Sequence, residues 1–175
     1  HPEKFSSPSR RDAAVTMRDP VETVQEIGKL AGQSLVAANT LGEFGLAIAI
    51  HRPVRMQAKA MARAVSTPRF WSSRATQGWG GDRIFVFGKG KATSVAMITV
   101  WDSERDAKEF AGAFHARHGK RLAYTSHVAA RLAVFANGAL AKSCARVAEV
   151  VKRAGFEQDG KPYPLRDAEA AGPGR

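Results

Sequence analysis

The side chains able to ligate a metal, attack a substrate or move a proton are few. The chain has five histidines and one cysteine. His115 and His118 stand at i, i+3 in a helical stretch, a spacing that holds a metal if a third ligand arrives. The glutamate that a metallopeptidase helix needs does not follow, and the nearby options are Glu109 and His127. The pair fits better at a helix C-terminus, where positive charge is favoured. His1 has the amine and ring to chelate copper if it is a mature terminus, but Pro2 opposes this. Cys144 lies among Ala and Val and reads as a buried small hydrophobe, not a reactive thiol. Gly88-Lys89-Gly90-Lys91 lacks the spacing of a phosphate loop and has no helix after it, so it predicts a hairpin turn. Cys144 has no obvious base nearby in sequence, Ser66 and Ser72 lie in unremarkable contexts, and Gly-x-Ser-x-Gly is absent. These residues predict no complete catalytic set, no metal set and no cofactor.

Charge is the next signal. Lys and Arg number 27 against 16 Asp and Glu, a formal +11. No acidic residue falls between Glu43 and Asp82, and Arg55, Lys59 and Arg63 stand at i, i+4, i+8 as one helical stripe. A basic field of this size attracts nucleic acid, anionic lipid or an acidic protein. The plainer reading is arginine scattered over a solvated surface. Phe70, Trp71 and Trp79 lie near Arg69, Arg74 and Arg83, an interleaving that suits base stacking, but the reading preferred for Trp71, Trp79 and Trp101 is core or hinge packing. The longest apolar run, Phe44 to Ile50, is far short of the roughly 20 residues that span a bilayer. A first residue of His1 predicts a fragment or processed product.

These groups need elements to position them. Residues 1–19 read as an extended arm, with a short strand at Val15 to Met17. A helix is expected over 20–31, with Asp19 as N-cap, Pro20 in the first turn and Gly32 at its end. Ser34 to Ala38 suits a strand. Leu41 to His51, with Thr40 and Glu43 as a capping box, suits a helix apolar nearly all round and therefore buried. Val54 to Val65 carries the basic stripe, and 69–77 suits a short helix. Trp79 to Arg83 reads as a turn before a strand at Ile84 to Phe87. Thr93 to Trp101 is apolar on both faces and predicts a central strand. Ser103 and Asp106 box the start of a helix that ends at Gly119. Val128 to Phe135 suits one strand, Ala141 to Arg153 a last helix, and 157–175 a loose tail. The expectation is an arm over 1–19, one α+β domain over 20–156 and that tail. The domain should hold an antiparallel sheet of three to five strands with helices mainly on one face.

Three stretches carry a resemblance. They are His1-Pro2-Glu3-Lys4-Phe5, Thr40-Leu41-Gly42-Glu43-Phe44-Gly45, and Gly78-Trp79-Gly80-Gly81-Asp82-Arg83 with Trp101-Asp102-Ser103-Glu104-Arg105-Asp106-Ala107 downstream. In that order they resemble the C-terminal half of often exported bacterial proteins whose N-terminal half carries a zinc-peptidase-like helix. The resemblance implies an exported or cell-envelope setting and a zinc-binding half lying upstream of His1 as the protein partner.

Taken by their chemistry, Trp79, Asp82, Arg83, Trp101 and Asp102 suggest a structural clamp or a ligand contact. Arg83 can grip Asp102 or Glu104 bidentately. The expected function is a non-catalytic accessory or interaction domain. The alternative is a basic module for nucleic acid or another anionic polymer.

Overall fold

A computed structural model describes residues 15–50, 74–119 and 122–165. The architecture is α+β. A five-stranded antiparallel sheet forms the centre. Its strands are β2 (Ser34–Asn39), β3 (Trp79–Lys89), β4 (Ala92–Trp101), β5 (Tyr124–Ala129) and β6 (Leu132–Asn137), in the order β2-β3-β4-β6-β5. A second antiparallel sheet has β7 (Phe156–Gln158) between β1 (Thr16–Met17) and β8 (Lys161–Tyr163).

β4 is central, as its two apolar faces predict. Ala96, Ile98 and Val100 join one buried cluster with Phe85, Phe87, Leu132 and Val134. Met97 and Trp101 join another, with Phe110 and Phe135. Because strand side chains alternate, these clusters lie on opposite faces. α1 (Pro20–Ala31) and α4 (Cys144–Ala154) cover the first, through Ile27, Val147 and Val151. α2 (Gly42–Ile50) and α3 (Glu104–His118) cover the second, through Leu46, Ala107 and Phe110. The helices thus divide between the faces and do not gather mainly on one. A strand apolar on both sides needs cover on both.

Several local expectations are corrected. Trp79 to Arg83 is not a turn but the first part of β3, with a bulge between Trp79 and Gly81 that accommodates Gly80. Residues 128–135 are not one strand: β5 and β6 form a hairpin across Ala130 and Arg131. Ala130 takes φ 54° there, a left-handed turn written without glycine or asparagine, so no sequence signal announces it. Residues 156–163, placed mostly in a loose tail, form the β7–β8 hairpin that holds β1. Asp19 precedes α1 but is itself left-handed, and its side chain makes no cap. Instead Thr23 Oγ1 donates to the Asp19 carbonyl at 2.9 Å.

α2 is not buried all round. Leu46 and Ala47 face inward, while Phe44 and Ile48 stay exposed. Ser103 caps α3 as its box predicts: its Oγ accepts from the Asp106 N–H at 3.2 Å and donates to the Asp106 carboxylate at 2.6 Å. Arg55, Lys59 and Arg63, with the helix expected over 54–65, lie outside the described residues, as do His1, His51, Phe70 and Trp71.

Candidate functional site

The most distinctive sequence pieces meet at one corner of the large sheet. Trp79 on β3 is the register partner of Trp101 on β4. The Asp102 N–H, one residue beyond β4, donates to the Gly78 carbonyl at 2.7 Å. Gly78 itself has φ +77°, and a Cβ there would stand 2.6 Å from the Asp106 carboxylate. Only glycine fits such a position.

Gly80 and Gly81 answer to the neighbouring strand. The Val15 N–H donates to the Gly80 carbonyl at 2.8 Å. A Cβ on Gly81 would collide with the Val15 carbonyl oxygen. The paired glycines therefore let the chain before β1 cross the start of β3 in backbone contact.

Asp82 is the hub. Its carboxylate accepts from the Leu41 N–H at 2.7 Å, the Gly42 N–H at 2.8 Å and the Trp79 indole N–H at 3.2 Å. The first two are unpaired donors at the start of α2, so Asp82 caps that helix from a strand 40 residues downstream. The Thr40 N–H donates to Asn39 Oδ1 at 2.8 Å. Thr40 Oγ1 donates to the Asp82 carbonyl and accepts from Arg83 Nη1, both at 3.3 Å. Arg83 thus reaches Thr40, not Asp102 or Glu104 as its chemistry suggests. Register explains this. Arg83 pairs with Ile98 well inside the sheet, whereas Asp102 lies past the end of β4.

Trp101 is fully buried. Its indole donates to Thr99 Oγ1 at 2.8 Å, and Thr99 Oγ1 donates to the Ala133 carbonyl at 3.2 Å. Phe110 packs on it with ring centroids 4.8 Å apart. The Tyr163 hydroxyl donates to the Trp101 carbonyl at 3.1 Å, tying the small sheet to the same corner. Trp79, Asp82, Trp101 and Asp102 are brought together at this corner with Arg83 beside them; the Asp82 carboxylate and the two indoles have partners inside the fold, whereas Arg83 gives a single N–H to Thr40. The sequence reading missed Thr40, Leu41 and Gly42 as their partners, because a cap supplied from a distant strand leaves no local spacing.

The histidines of α3 and Cys144 also have partners inside the fold. His118 Nε2 lies 2.7 Å from the Ala49 carbonyl and links α3 to α2. His115 Nδ1 lies 3.4 Å from the Tyr124 hydroxyl, whose pKa burial raises. Among the described residues no three His, Cys, Asp or Glu gather as a metal site. Cys144 is buried, its Sγ 3.4 Å from the Thr125 and Val134 carbonyls, and burial pushes its thiol up to about 11. It does not ionise near neutral pH and is a poor nucleophile. Gly88 to Lys91 is the β3–β4 hairpin, with Gly90 at φ +60°.

A different region stands unsatisfied. Every one of the six residues of edge strand β2 is exposed, including Leu35 at 44% and Val36 at 69%. Val36 is the extra residue of a bulge between Leu35 and Ala37. Phe44 and Ile48 of α2, and Leu41 just before it, are exposed as well. Lys29, Leu35 and Lys89 share one shallow depression, and exposed Lys91 follows in the adjoining turn. Among the described residues no helix is long and apolar enough to cross a membrane.

A family model described as "Domain of unknown function (DUF8575)" matches residues 29–153. No curated protein and no solved structure matches the chain.

Proposed function

Because the chain belongs to the DUF8575 family, a domain of unknown function, we propose its role from its geometry: a non-catalytic interaction domain that docks a protein partner through β2 and α2. One observation carries this. Strand β2 and helix α2 leave Leu35, Val36, Phe44 and Ile48 exposed, whereas soluble surfaces rarely leave apolar patches without a use. An apolar sheet edge is moreover a liability that folds normally blunt with charge. Here Lys29, Lys89 and Lys91 border β2, and none has an ion-pair partner among the described residues. A β2 edge bordered by lysines, Lys29 among them on the α1 side, fits a partner whose contact with that edge is bordered by Asp and Glu.

The wider setting we propose is an accessory domain or subunit of an exported metallopeptidase-like protein, supported by the three resembling stretches. The partner would then be its zinc-binding half.

Photo-crosslinkers placed at Val36 and Ile48 in the native cell test the docking role, with Arg146 on α4 as control. The expected result is one acidic protein captured at both positions and not at Arg146, and lost from the V36K variant. Equal capture at all three positions would overturn the reading.

The alternative, a basic module for nucleic acid or another anionic polymer, is favoured by the formal charge of +11. DNA and heparin binding across a salt series decides it, since phosphate contacts give a steep negative slope of log affinity against log salt.

A further inference from the structure

The seam where the small sheet crosses the large one encloses a cavity of about 310 Å³. We propose that it binds a small carboxylate with an apolar tail. This goes beyond the protein-docking reading and does not depend on it.

The cavity has a floor and a rim of opposite character. Phe85, Ile98 and Val100 of the large sheet meet Val15 and Phe156 of the small-sheet side, and all are buried. Thr16, Pro20, Thr40 and Arg83 border it and are exposed. Apolar walls with a few polar groups gathered at one end are the usual form of a small-molecule site, and the volume lies at the small end of the usual range of about 300–1,000 Å³. The same close crossing that demands Gly81 also sets the seam: Gly81 lines the cavity where the Val15 backbone passes over it.

Charge selects the ligand. Arg83 gives one N–H to Thr40 Oγ1 and has no carboxylate partner among the described residues. Its neighbour on the rim, Asp82, has its carboxylate occupied by the Leu41, Gly42 and Trp79 N–H groups. The start of α2 further offsets that negative charge. The guanidinium is therefore the rim's uncommitted charge. One planar guanidinium matches one carboxylate in a two-bond fork, while the apolar floor takes an alkyl or aryl tail. A phosphate would bring more charge than a single Arg83 can meet.

Octanoate serves as the probe. Titration into the intact chain, followed through the methyl signals of Met17, Ile98 and Val100, should show saturable shifts. Octanol, with the same tail and no charge, should bind at least about 10-fold more weakly, since a hydrogen bond to a charged group contributes about 1.5–3 kcal/mol. The R83Q variant, with its fold checked by circular dichroism, should lose octanoate affinity by a similar factor and leave octanol unchanged. Three results would each overturn the proposal. One is no saturation up to the solubility limit. Another is shifts confined to the groove of Leu41, Phe114 and Leu122. The third is equal binding of octanol and octanoate with R83Q indistinguishable from wild type.

Discussion

The Trp79–Trp101 corner and the β2–α2 edge share strand β3 and treat their residues in opposite ways. At the corner the motif residues have partners inside the fold: Asp82 caps α2, Trp101 donates to Thr99, and Gly81 admits the Val15 backbone. At the edge Val36, Phe44 and Ile48 are left facing outward. The corner carries the distinctive spelling and builds scaffold. The edge is spelled plainly, Ser-Leu-Val-Ala-Ala-Asn, and presents the surface. A distinctive spelling can thus answer first to architecture, since Gly81, Asp82 and Trp101 are each held by a contact inside the fold.

The sharpest way to break this contrast is to truncate one side chain on each side. Trp101→Ala removes a fully buried ring from between Phe110 and the sheet. The expected loss is about 3–5 kcal/mol in urea unfolding, from lost transfer energy and an unfilled cavity. Val36→Ala at 69% exposure should stay within about 0.5 kcal/mol. Similar losses for the two would mean that the edge is as structural as the corner.

Cys144 offers a second measure on the buried side. Its thiol is raised from 9.0 to about 11 in the fold by burial, so the folded state holds a proton that the unfolded chain releases. Between those values the unfolded state binds fewer protons, and stability must fall as pH rises. Below pH 9 the thiol is neutral in both states and contributes no slope. The shift corresponds to about 2–3 kcal/mol lost by pH 11. Lys and Tyr titrate in the same window, so the measured quantity is the difference in urea midpoint between wild type and Cys144→Ala. That difference should narrow from pH 9 to 11. A constant difference would show the thiol to be less enclosed than its 2% exposure implies.

Asp82→Ala tests the hub on which the corner turns. Losing a helix cap costs typically about 1 kcal/mol and up to about 2. The Leu41 and Gly42 amides, which lose their acceptor, should exchange with solvent faster than other α2 amides. Unchanged exchange at both would show that water replaces the carboxylate without penalty.

What could be read from the sequence follows the range of the interactions. The α3 cap lies within Ser103 to Asp106, so its spacing is visible, and Asp106 donates to Ser103 as predicted. The central place of β4 is visible because its own ten residues are apolar on both faces. The Asp82 cap of α2 is invisible, because donors and acceptor are separated by some 40 residues. The division of β5 from β6 is invisible because Ala130 turns without a turn residue. The Trp79-to-Arg83 segment misleads for a related reason. Paired glycines usually mark a turn, and here they mark a strand that another backbone crosses. The exposed face of α2 is misread because an all-apolar helix normally implies burial all round, and no local pattern tells which side meets the sheet.

The smallest effect on stability should accompany the largest effect on binding, and that separation tests the edge most directly. Val36→Lys and Ile48→Lys each place a charge on a side chain that is 69% and 59% exposed. Neither removes a buried contact, so unfolding should shift by no more than about 0.5 kcal/mol for each. Capture of the partner at the other position should nevertheless fall at least 10-fold, because a charge in an apolar contact must be desolvated without a mate. If the two lysines unfold the protein as readily as Trp101→Ala, the edge belongs to the core. If they leave both stability and capture untouched, β2 and α2 are solvated surface and docking lies elsewhere.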